Sequence, residues 1–149
     1  MLFLILGVGI IMYCIRKSFS IDMAHILEDA YTKLCCNLHG HTYIVEVELQ
    51  TPKLTGVNGM VLDYGYIKKV FNEKIKSEYD HGCMVPPKWH DKFEGIPGVV
   101  NVRFNPTAEN IARYFFELLF EDLTKEDEYY LTAIIIKETD SSYAKYSIK

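Results

Sequence analysis

The sequence predicts an α+β domain in which an antiparallel sheet is covered by helices. Three observations support this: two alternating segments near the start, two amphipathic helical segments in the middle, and two extended segments near the end. The predicted order is therefore strand, strand, helix, helix, strand, strand, and such a separation of strands from helices is typical of α+β proteins. With 149 residues, the chain is the size of one domain.

The two N-terminal strands are the most regular part of the pattern. The first alternates apolar and polar residues from Tyr13 to Ile21, and the same parity continues to His25. The second, from His41 to Gln50, is the clearest strand in the chain. Residues 27–34 between them have no clean period and are interpreted as a loop with one helical turn.

Two helices follow, each with a recognisable start. Asp63 is placed to cap the first, whose apolar residues recur at helical spacing as far as Ile75. Thr107, preceded by Pro106, is placed to cap the second. Residues 82–105 between the helices are rich in proline and glycine and are interpreted mostly as loop, with a short extended piece at 99–104.

The last two predicted strands are Tyr129 to Thr139 and Ser142 to Ile148. Residues 134–136 are three consecutive isoleucines, so the first of these strands is apolar on both faces. This pattern predicts a sheet that is covered on both sides or closed into a barrel.

Composition excludes some functions. The chain is 49% hydrophobic with a formal net charge of −4 and no long basic run, which argues against nucleic-acid binding. The four cysteines have no disulfide-framework spacing, and two of them, Cys35 and Cys36, are adjacent. Reduced thiols in a cytoplasmic protein are the better interpretation.

Residues 1–11 form an apolar N-terminal extension. The apolar stretch of about 14 residues is shorter than the roughly 20 that a membrane-spanning helix needs. No basic residue precedes it and no small-residue cleavage site follows, so it is a poor secretory signal. Because the charged residues Arg16 and Lys17 follow this stretch, a membrane anchor remains an alternative. We predict a start at Met12, with residues 12–149 as a single domain.

Three histidines are candidate metal ligands. His39 and His41 are two residues apart at the start of an extended segment, so their imidazoles point to the same face. His25 leaves the end of the neighbouring predicted strand on its inward side. Three neutral imidazoles suit zinc and leave a fourth position open. Two alternatives remain: His25 as an ordinary core residue, and Cys35 or Cys36 as the fourth ligand of a structural site.

Several motifs, in this order, make the chain similar to the 6-pyruvoyltetrahydropterin synthase family. They are Phe19–His25, Cys35-x-x-x-His39-Gly40-His41-Thr42-Tyr43, Gly59–Tyr64, Asp80-His81, Pro106–Asn110 and Lys137–Thr139. The cysteine four residues before the first histidine resembles the queuosine-pathway branch, whose members form 6-carboxytetrahydropterin. Lys33 stands where the members that form 6-pyruvoyltetrahydropterin usually hold their cysteine.

The resemblance implies a tunnelling fold, with a four-stranded antiparallel sheet, two helices on one face and ββααββ order. In this family three subunits close a barrel and two trimers stack into a homohexamer, with active sites between subunits. It also implies a zinc-dependent carbon–carbon lyase that converts 7,8-dihydroneopterin triphosphate to 6-carboxytetrahydropterin, acetaldehyde and triphosphate.

The resemblance also assigns roles to individual residues. Cys35 matches the proton-abstracting thiol, and Asp80 and His81 match the proton relay. Glu138 matches the residue that anchors the pterin and is counted with the relay. The remaining matches are His25, His39 and His41 as zinc ligands, and Thr107 and Glu109 in the segment lining the pterin pocket.

Two departures and two rival functions stay open at this point. Cys36 stands where the family commonly has a small residue, and the segment 82–105 is longer than usual. The nearest rival is the pyruvoyl-forming enzyme, and the second is a non-catalytic, zinc-bound oligomer that binds a pterin or purine.

Overall fold

The computed structural model describes residues 12–54 and 57–148. The predicted extension at residues 1–11 lies outside this part, and so does the membrane anchor considered for it. Within the described ranges, no helix is long and apolar enough to cross a membrane.

The structure consists of a six-stranded sheet and helices packed on one of its faces. The strands are Tyr13–His25 (β1), His39–Thr51 (β2), Cys83–Val85 (β3), Val99–Asn101 (β4), Tyr130–Thr139 (β5) and Ser142–Ser147 (β6). The α-helices are Tyr64–Phe71 (α1), Ser77–Tyr79 (α2) and Ala108–Leu119 (α3), and a π-helical turn, Asn72–Lys76, joins α1 to α2. Two short 3₁₀ helices are Lys33–Cys36 and Pro87–Lys92.

The α+β class is confirmed, but the four-stranded, all-antiparallel sheet with ββααββ order is not. The strand order is β4-β3-β1-β2-β5-β6. Pairing is antiparallel from β1 through β2 and β5 to β6, whereas β3 runs parallel to both β1 and β4.

The two added strands come from the segment 82–105, which was predicted to be mostly loop, although β4 lies within the piece at 99–104 that was predicted to be extended. Each is only three residues long, which is too short for alternation to show in a sequence. They exist because β3 pairs with the end of β1, where Ala24 is opposite Cys83. Pairing with a distant strand, rather than local pattern, therefore decides their structure.

The helix starts were predicted correctly. The Asp63 carboxylate accepts a hydrogen bond from the Gly65 backbone N–H at 2.6 Å, and the Thr107 hydroxyl accepts one from the Asn110 N–H at 3.3 Å. Both side chains satisfy amides that have no partner within the helix. The helices pack on one sheet face through a shared apolar core that includes Phe71, Phe115, Leu119, Tyr43, Val45, Val47 and Ile134.

The opposite face carries a charged network on β1, β2, β5 and β6. Glu46 and Glu48 are buried there, and Arg16 bonds to both carboxylates at 3.0 and 2.7 Å. Lys137 pairs with Glu46, and Lys145 pairs with Glu48 at 3.5 Å. Ile135 is buried within this face. Ile135, the central residue of 134–136, is thus shielded from solvent by the long charged side chains beside it. The isoleucines before and after it, at 134 and 136, lie in the apolar core on the other face.

Candidate functional site

The β1–β2 register brings the three histidines together. His25 lies directly opposite His39, and Met23 opposite His41. Because side chains two residues apart share a face of a strand, all three imidazoles project from the helix-covered face. One nitrogen from each ring lies within 4.8 Å of one from each of the others.

Backbone carbonyls orient two of these rings. His25 Nδ1 lies 2.8 Å from the Pro106 carbonyl oxygen, and His39 Nδ1 lies 2.8 Å from the Asn37 carbonyl oxygen. A carbonyl only accepts hydrogen bonds, so each Nδ1 carries the hydrogen. In the neutral rings each Nε2 therefore holds a lone pair, and these two atoms are 2.9 Å apart.

Burial keeps His25 neutral. The ring is 1% exposed, and burial, together with the adjacent His39 and His41, lowers its pKa to about 4 despite the opposing effect of the bond to Pro106. Near pH 7 the imidazole is then uncharged, which is the form that binds a metal.

This donor set fits a divalent metal. Two facing lone pairs repel each other unless a proton or a cation lies between them. Neutral imidazoles with Nδ1–H donated to backbone carbonyls are the usual arrangement of metal-binding histidines. Three nitrogen ligands with a fourth position open are typical of catalytic zinc. His25, His39 and His41 could hold such an ion.

Tyr43 is a neighbour of the cluster that sequence analysis quoted in a motif without giving it a role. Its hydroxyl lies 3.2 Å from His25 Nδ1 and 3.3 Å from His25 Nε2, and the side chain is buried. Burial and the nearby Glu138 carboxylate raise the pKa of Tyr43. The only sequence signal was parity, because Tyr43 follows His41 by two residues on the same strand.

A cleft of about 270 Å³ brings the predicted pterin-binding residues together. Glu138 reaches it from the end of β5, and Thr107 and Glu109 reach it from the start of α3. Leu27 and Tyr143 also line this cleft and were not predicted. The structure thus gathers Thr107, Glu109 and Glu138, and Tyr43 lies between Glu138 and His25.

Asp80 and His81 form a different cluster, with Asp22. One ligand atom from each lies within 4.8 Å of the others. Asp22 alternates with the inward-facing Met23, and its carboxylate accepts a hydrogen bond from the Thr42 hydroxyl at 2.6 Å. Asp22 and Thr42 thus point to the face opposite the histidines. Within one chain the metal-binding candidates and the relay candidates occupy separate clusters.

The two adjacent cysteines lie in the 3₁₀ helix before β2, and both are half-buried. The Cys36 thiol lies 3.9 Å from the carbonyl oxygen of Ala30. The Cys35 carbonyl accepts a hydrogen bond from the Leu27 N–H at 3.3 Å, which ties this helix to the segment behind His25.

Comparison with known proteins gives a consistent result. The model of the 6-pyruvoyl tetrahydropterin synthase family matches residues 14–149. The chain is 32% identical to a 6-carboxy-5,6,7,8-tetrahydropterin synthase of Haemophilus influenzae, over 91% of this chain and 99% of that one. It is 28% identical to the protein of the same name from Rickettsia conorii, over 89% and 97% of the two chains.

Solved structures share the fold. An uncharacterized protein from Wolinella succinogenes superposes with a TM-score of 0.78 at 22% identity, covering 93% of this chain and 99% of that one. The 6-pyruvoyl tetrahydropterin synthase of Caenorhabditis elegans gives a TM-score of 0.66 at 24% identity, covering 94% and 98%. At these identities the likeness concerns architecture.

Proposed function

The chain belongs to the 6-pyruvoyl tetrahydropterin synthase family, and we propose that it is a zinc-dependent 6-carboxy-5,6,7,8-tetrahydropterin synthase. It would convert 7,8-dihydroneopterin triphosphate and one water to 6-carboxytetrahydropterin, acetaldehyde and triphosphate in the queuosine pathway. The observation that carries this proposal is that three imidazoles converge on one point. Two of these rings direct their Nδ1–H groups away from that point, toward backbone carbonyls. The named relatives support the choice of product.

Zinc is the ion we assign to His25, His39 and His41. When bound, it would act as a Lewis acid toward the oxygens of the substrate side chain. Pro106 and Asn37 hold two of the rings by their Nδ1–H groups, so little reorganisation is needed when the ion binds.

The pterin would lie in the cleft beside Thr107, Glu109 and Glu138. A carboxylate accepts hydrogen bonds, and the amino and ring N–H groups of a pterin are donors, so Glu138 would orient the ring. The ring would then lie next to the histidines, because Glu138 neighbours Tyr43 and Tyr43 contacts His25.

Cys35 would take a proton from the substrate side chain, and Asp80 and His81 would support the second proton transfer. The Cys36 thiol lies near a carbonyl of its own loop, which favours Cys35 as the reacting thiol. A thiol that must ionise to act as a base has to be reduced, in keeping with a cytoplasmic location.

We also propose that the protein is a homohexamer made of two trimers. The relay cluster and the histidine cluster project from opposite faces of the sheet, so a single chain does not bring them to one substrate. In the described part of the chain, β6 pairs on one side only and β1 has its second neighbour only at Ala24 and His25. Such free edges can pair with another copy and close a barrel.

The test is a product assay. Purified, zinc-loaded protein is incubated with 7,8-dihydroneopterin triphosphate, and acetaldehyde and the pterin products are measured by mass spectrometry. The proposal expects acetaldehyde and 6-carboxytetrahydropterin in equal amounts. A pyruvoyl product without acetaldehyde would assign the chain to the rival enzyme, and pterin binding without turnover would indicate a non-catalytic binder.

A further inference from the structure

The segment that follows β1 and the segment that precedes α3 are joined by one side chain, that of Asn105. Its Oδ1 accepts a hydrogen bond from the Glu28 backbone N–H at 2.8 Å, and its Nδ2 donates to the Glu28 carbonyl oxygen at 2.9 Å. The amide thus satisfies both backbone groups of Glu28, as a neighbouring strand would. Asp29, the next residue, has a backbone φ of 51°, so these bonds hold the chain just before a strained position.

The backbone of Asn105 is held from the other side. Its carbonyl oxygen accepts two hydrogen bonds, from the Thr107 N–H at 2.8 Å and from Asn110 Nδ2 at 2.9 Å. Both donors lie at the start of α3. Asn110 ends the motif Pro106–Asn110, and this bond explains why an amide side chain suits that position. Asn105 is therefore fixed to α3 through its carbonyl and to Glu28 through its side chain.

The residue after Asn105 orients the buried member of the histidine cluster. The Pro106 carbonyl oxygen lies 2.8 Å from His25 Nδ1, and both residues are buried. The bond from the Thr107 N–H to the Asn105 carbonyl closes a three-residue turn around Pro106. Because the ring of proline also locks its φ, this turn sets the direction of the Pro106 carbonyl. The acceptor for the His25 ring is thus held by the bonds of Asn105.

The segment after β1 also contacts the 3₁₀ helix that carries Cys35. The Leu27 N–H donates to the Cys35 carbonyl at 3.3 Å, and Leu27 lines the cleft assigned to the pterin. Because Leu27 directly precedes Glu28, the two bonds from Asn105 limit the movement of both the cleft wall and this helix.

We propose that Asn105 is a positioning residue of the metal site. Acting through Pro106, it holds the His25 ring in the tautomer that directs Nε2 toward the other ligands. The inference deepens the proposed function and rests on it only for the identity of the ion. The side chain must offer a donor and an acceptor on one planar group. Asparagine offers both, whereas an ionised aspartate of the same shape offers acceptors alone.

The first test measures the tautomer of His25 in zinc-free protein. Long-range ¹H–¹⁵N NMR correlations, recorded at about pH 8 where ordinary imidazoles are neutral, distinguish a protonated Nδ1 from a protonated Nε2. In the wild type, His25 is expected to carry its hydrogen on Nδ1. Asn105→Asp should shift it toward a mixture of the two forms. His39 is the internal reference, because the Asn37 carbonyl orients its ring and the substitution should leave it unchanged.

The second test measures zinc affinity by competition with a chromophoric chelator. Asn105→Asp is expected to bind zinc about tenfold more weakly than wild type, the lower end of the effect of groups that orient metal ligands. An added negative charge by itself favours binding of a cation, so weaker binding is not an effect of charge. Asn101→Asp introduces the same charge at an exposed position on β4 and should not weaken binding.

A second variant covers the case in which Asn105→Asp does not fold. Asn110→Ala removes the side-chain bond to the Asn105 carbonyl and keeps the backbone N–H that the Thr107 hydroxyl accepts. It should change the His25 tautomer and the zinc affinity in the same directions and by less. Wild-type values for both in a folded Asn110→Ala protein would then overturn the proposal.

The outcomes distinguish the inference from the proposed function. An unchanged His25 tautomer and zinc affinity in folded Asn105→Asp would overturn the role of Asn105. A tautomer change that His39 shares would also overturn it, because it would indicate general loosening of the site. Wild-type protein that yields no acetaldehyde would remove the proposed function instead. The NMR experiment uses neither zinc nor substrate, so it would still decide whether Asn105 orients His25.

Discussion

His25 and His39 face each other across the β1–β2 ladder with their Nε2 atoms 2.9 Å apart, and each gives its Nδ1 hydrogen to a backbone carbonyl. The pairing follows from strand register, and the tautomers follow from two carbonyls that belong to neither strand ladder. Two lone pairs are thereby directed at one point, with His41 beside them. This relationship is the basis of the first prediction.

His39→Ala should abolish stoichiometric metal binding. The wild type is expected to hold about one zinc per chain, and loss of one of three ligands should lower the bound zinc at least about tenfold after dialysis. Metal content is measured by mass spectrometry, with circular dichroism as a check on folding. His90→Gln is the matched control, since His90 is bonded to the Val85 and Val102 carbonyls. Equal zinc in wild type and His39→Ala would contradict the assignment.

Tyr43→Phe should weaken metal binding without unfolding the protein. The change removes a hydroxyl that lies 3.2 Å from His25 Nδ1, and loss of such an outer contact typically costs about tenfold or more in metal affinity. Competition with a chromophoric chelator measures the affinity. Tyr79→Phe is the control, because its buried hydroxyl bonds to Tyr114 at 3.0 Å within the core. If both variants bind zinc equally, Tyr43 has no part in the site.

Cys35→Ser and Cys36→Ser should differ sharply in turnover. A positioned base contributes about 10²- to 10⁴-fold to rate, so Cys35→Ser is expected to lose at least about a hundredfold in kcat. Cys36→Ser should retain most activity, since its thiol lies near the Ala30 carbonyl. The measurement is acetaldehyde release at saturating substrate. Turnover that survives in Cys35→Ser and is lost in Cys36→Ser would reverse the assignment of the base.

The stability contribution of Asp80 should depend on pH. The hydrogen bond from the Asp22 N–H, together with Lys76 and His81, lowers the pKa of Asp80 below its ordinary value. A carboxyl group with a lower pKa in the folded state stabilises it above the unfolded pKa, and the contribution disappears as the pH falls through the folded value. Urea unfolding of wild type and Asp80→Asn should therefore differ fully at pH 6, begin to converge only below about pH 4, and become equal once the pH has fallen below the lowered pKa of the folded state. A constant difference across this range would contradict the prediction.

Arg16→Met should destabilise the protein. Burial by itself raises the pKa of Glu48, but the bond from Arg16 and the charge of Lys145 lower it overall, so this buried carboxylate is charged near pH 7. Loss of Arg16 removes partners of both Glu46 and Glu48. Because Arg16 is half-exposed, we expect a loss of about 1–2 kcal/mol in the free energy of unfolding.

The control for this variant is Lys74→Met. Lys74 pairs with Asp122 at 3.1 Å on an exposed surface, and its loss should change stability by about 0.5 kcal/mol or less. Both values come from urea unfolding at pH 7. Equal losses in the two variants would mean that the buried carboxylates do not depend on Arg16.

Local pattern was sufficient for much of this protein. Alternation located the long strands, spacing located the two main helices, and the chemistry of Asp63 and Thr107 located their starts. The shared face of His39 and His41 follows from the two-residue period of a strand. The quoted motifs indicated the family, which the match over residues 14–149 confirms.

Other features depended on contacts between distant segments. Strand β3 exists through pairing with β1, and β4 through pairing with β3, and sequence alone does not show such pairing in three residues. The bonds that tie Asp80 and His81 to the backbone of Asp22 could not be predicted for a related reason: nothing near Asp22 in sequence indicates them.

The sequence by itself determined the fold class, the helix starts and the common face of two histidines, because each depends on residues a few positions apart. Only the tertiary structure decided that His25 lies opposite His39, that Pro106 orients its ring, and that Asp22 and His81 line one cavity. Those relationships depend on strand register and on the packing of elements far apart in the chain. A shift of the strand pairing by one residue would move every side chain of that strand to the opposite face of the sheet.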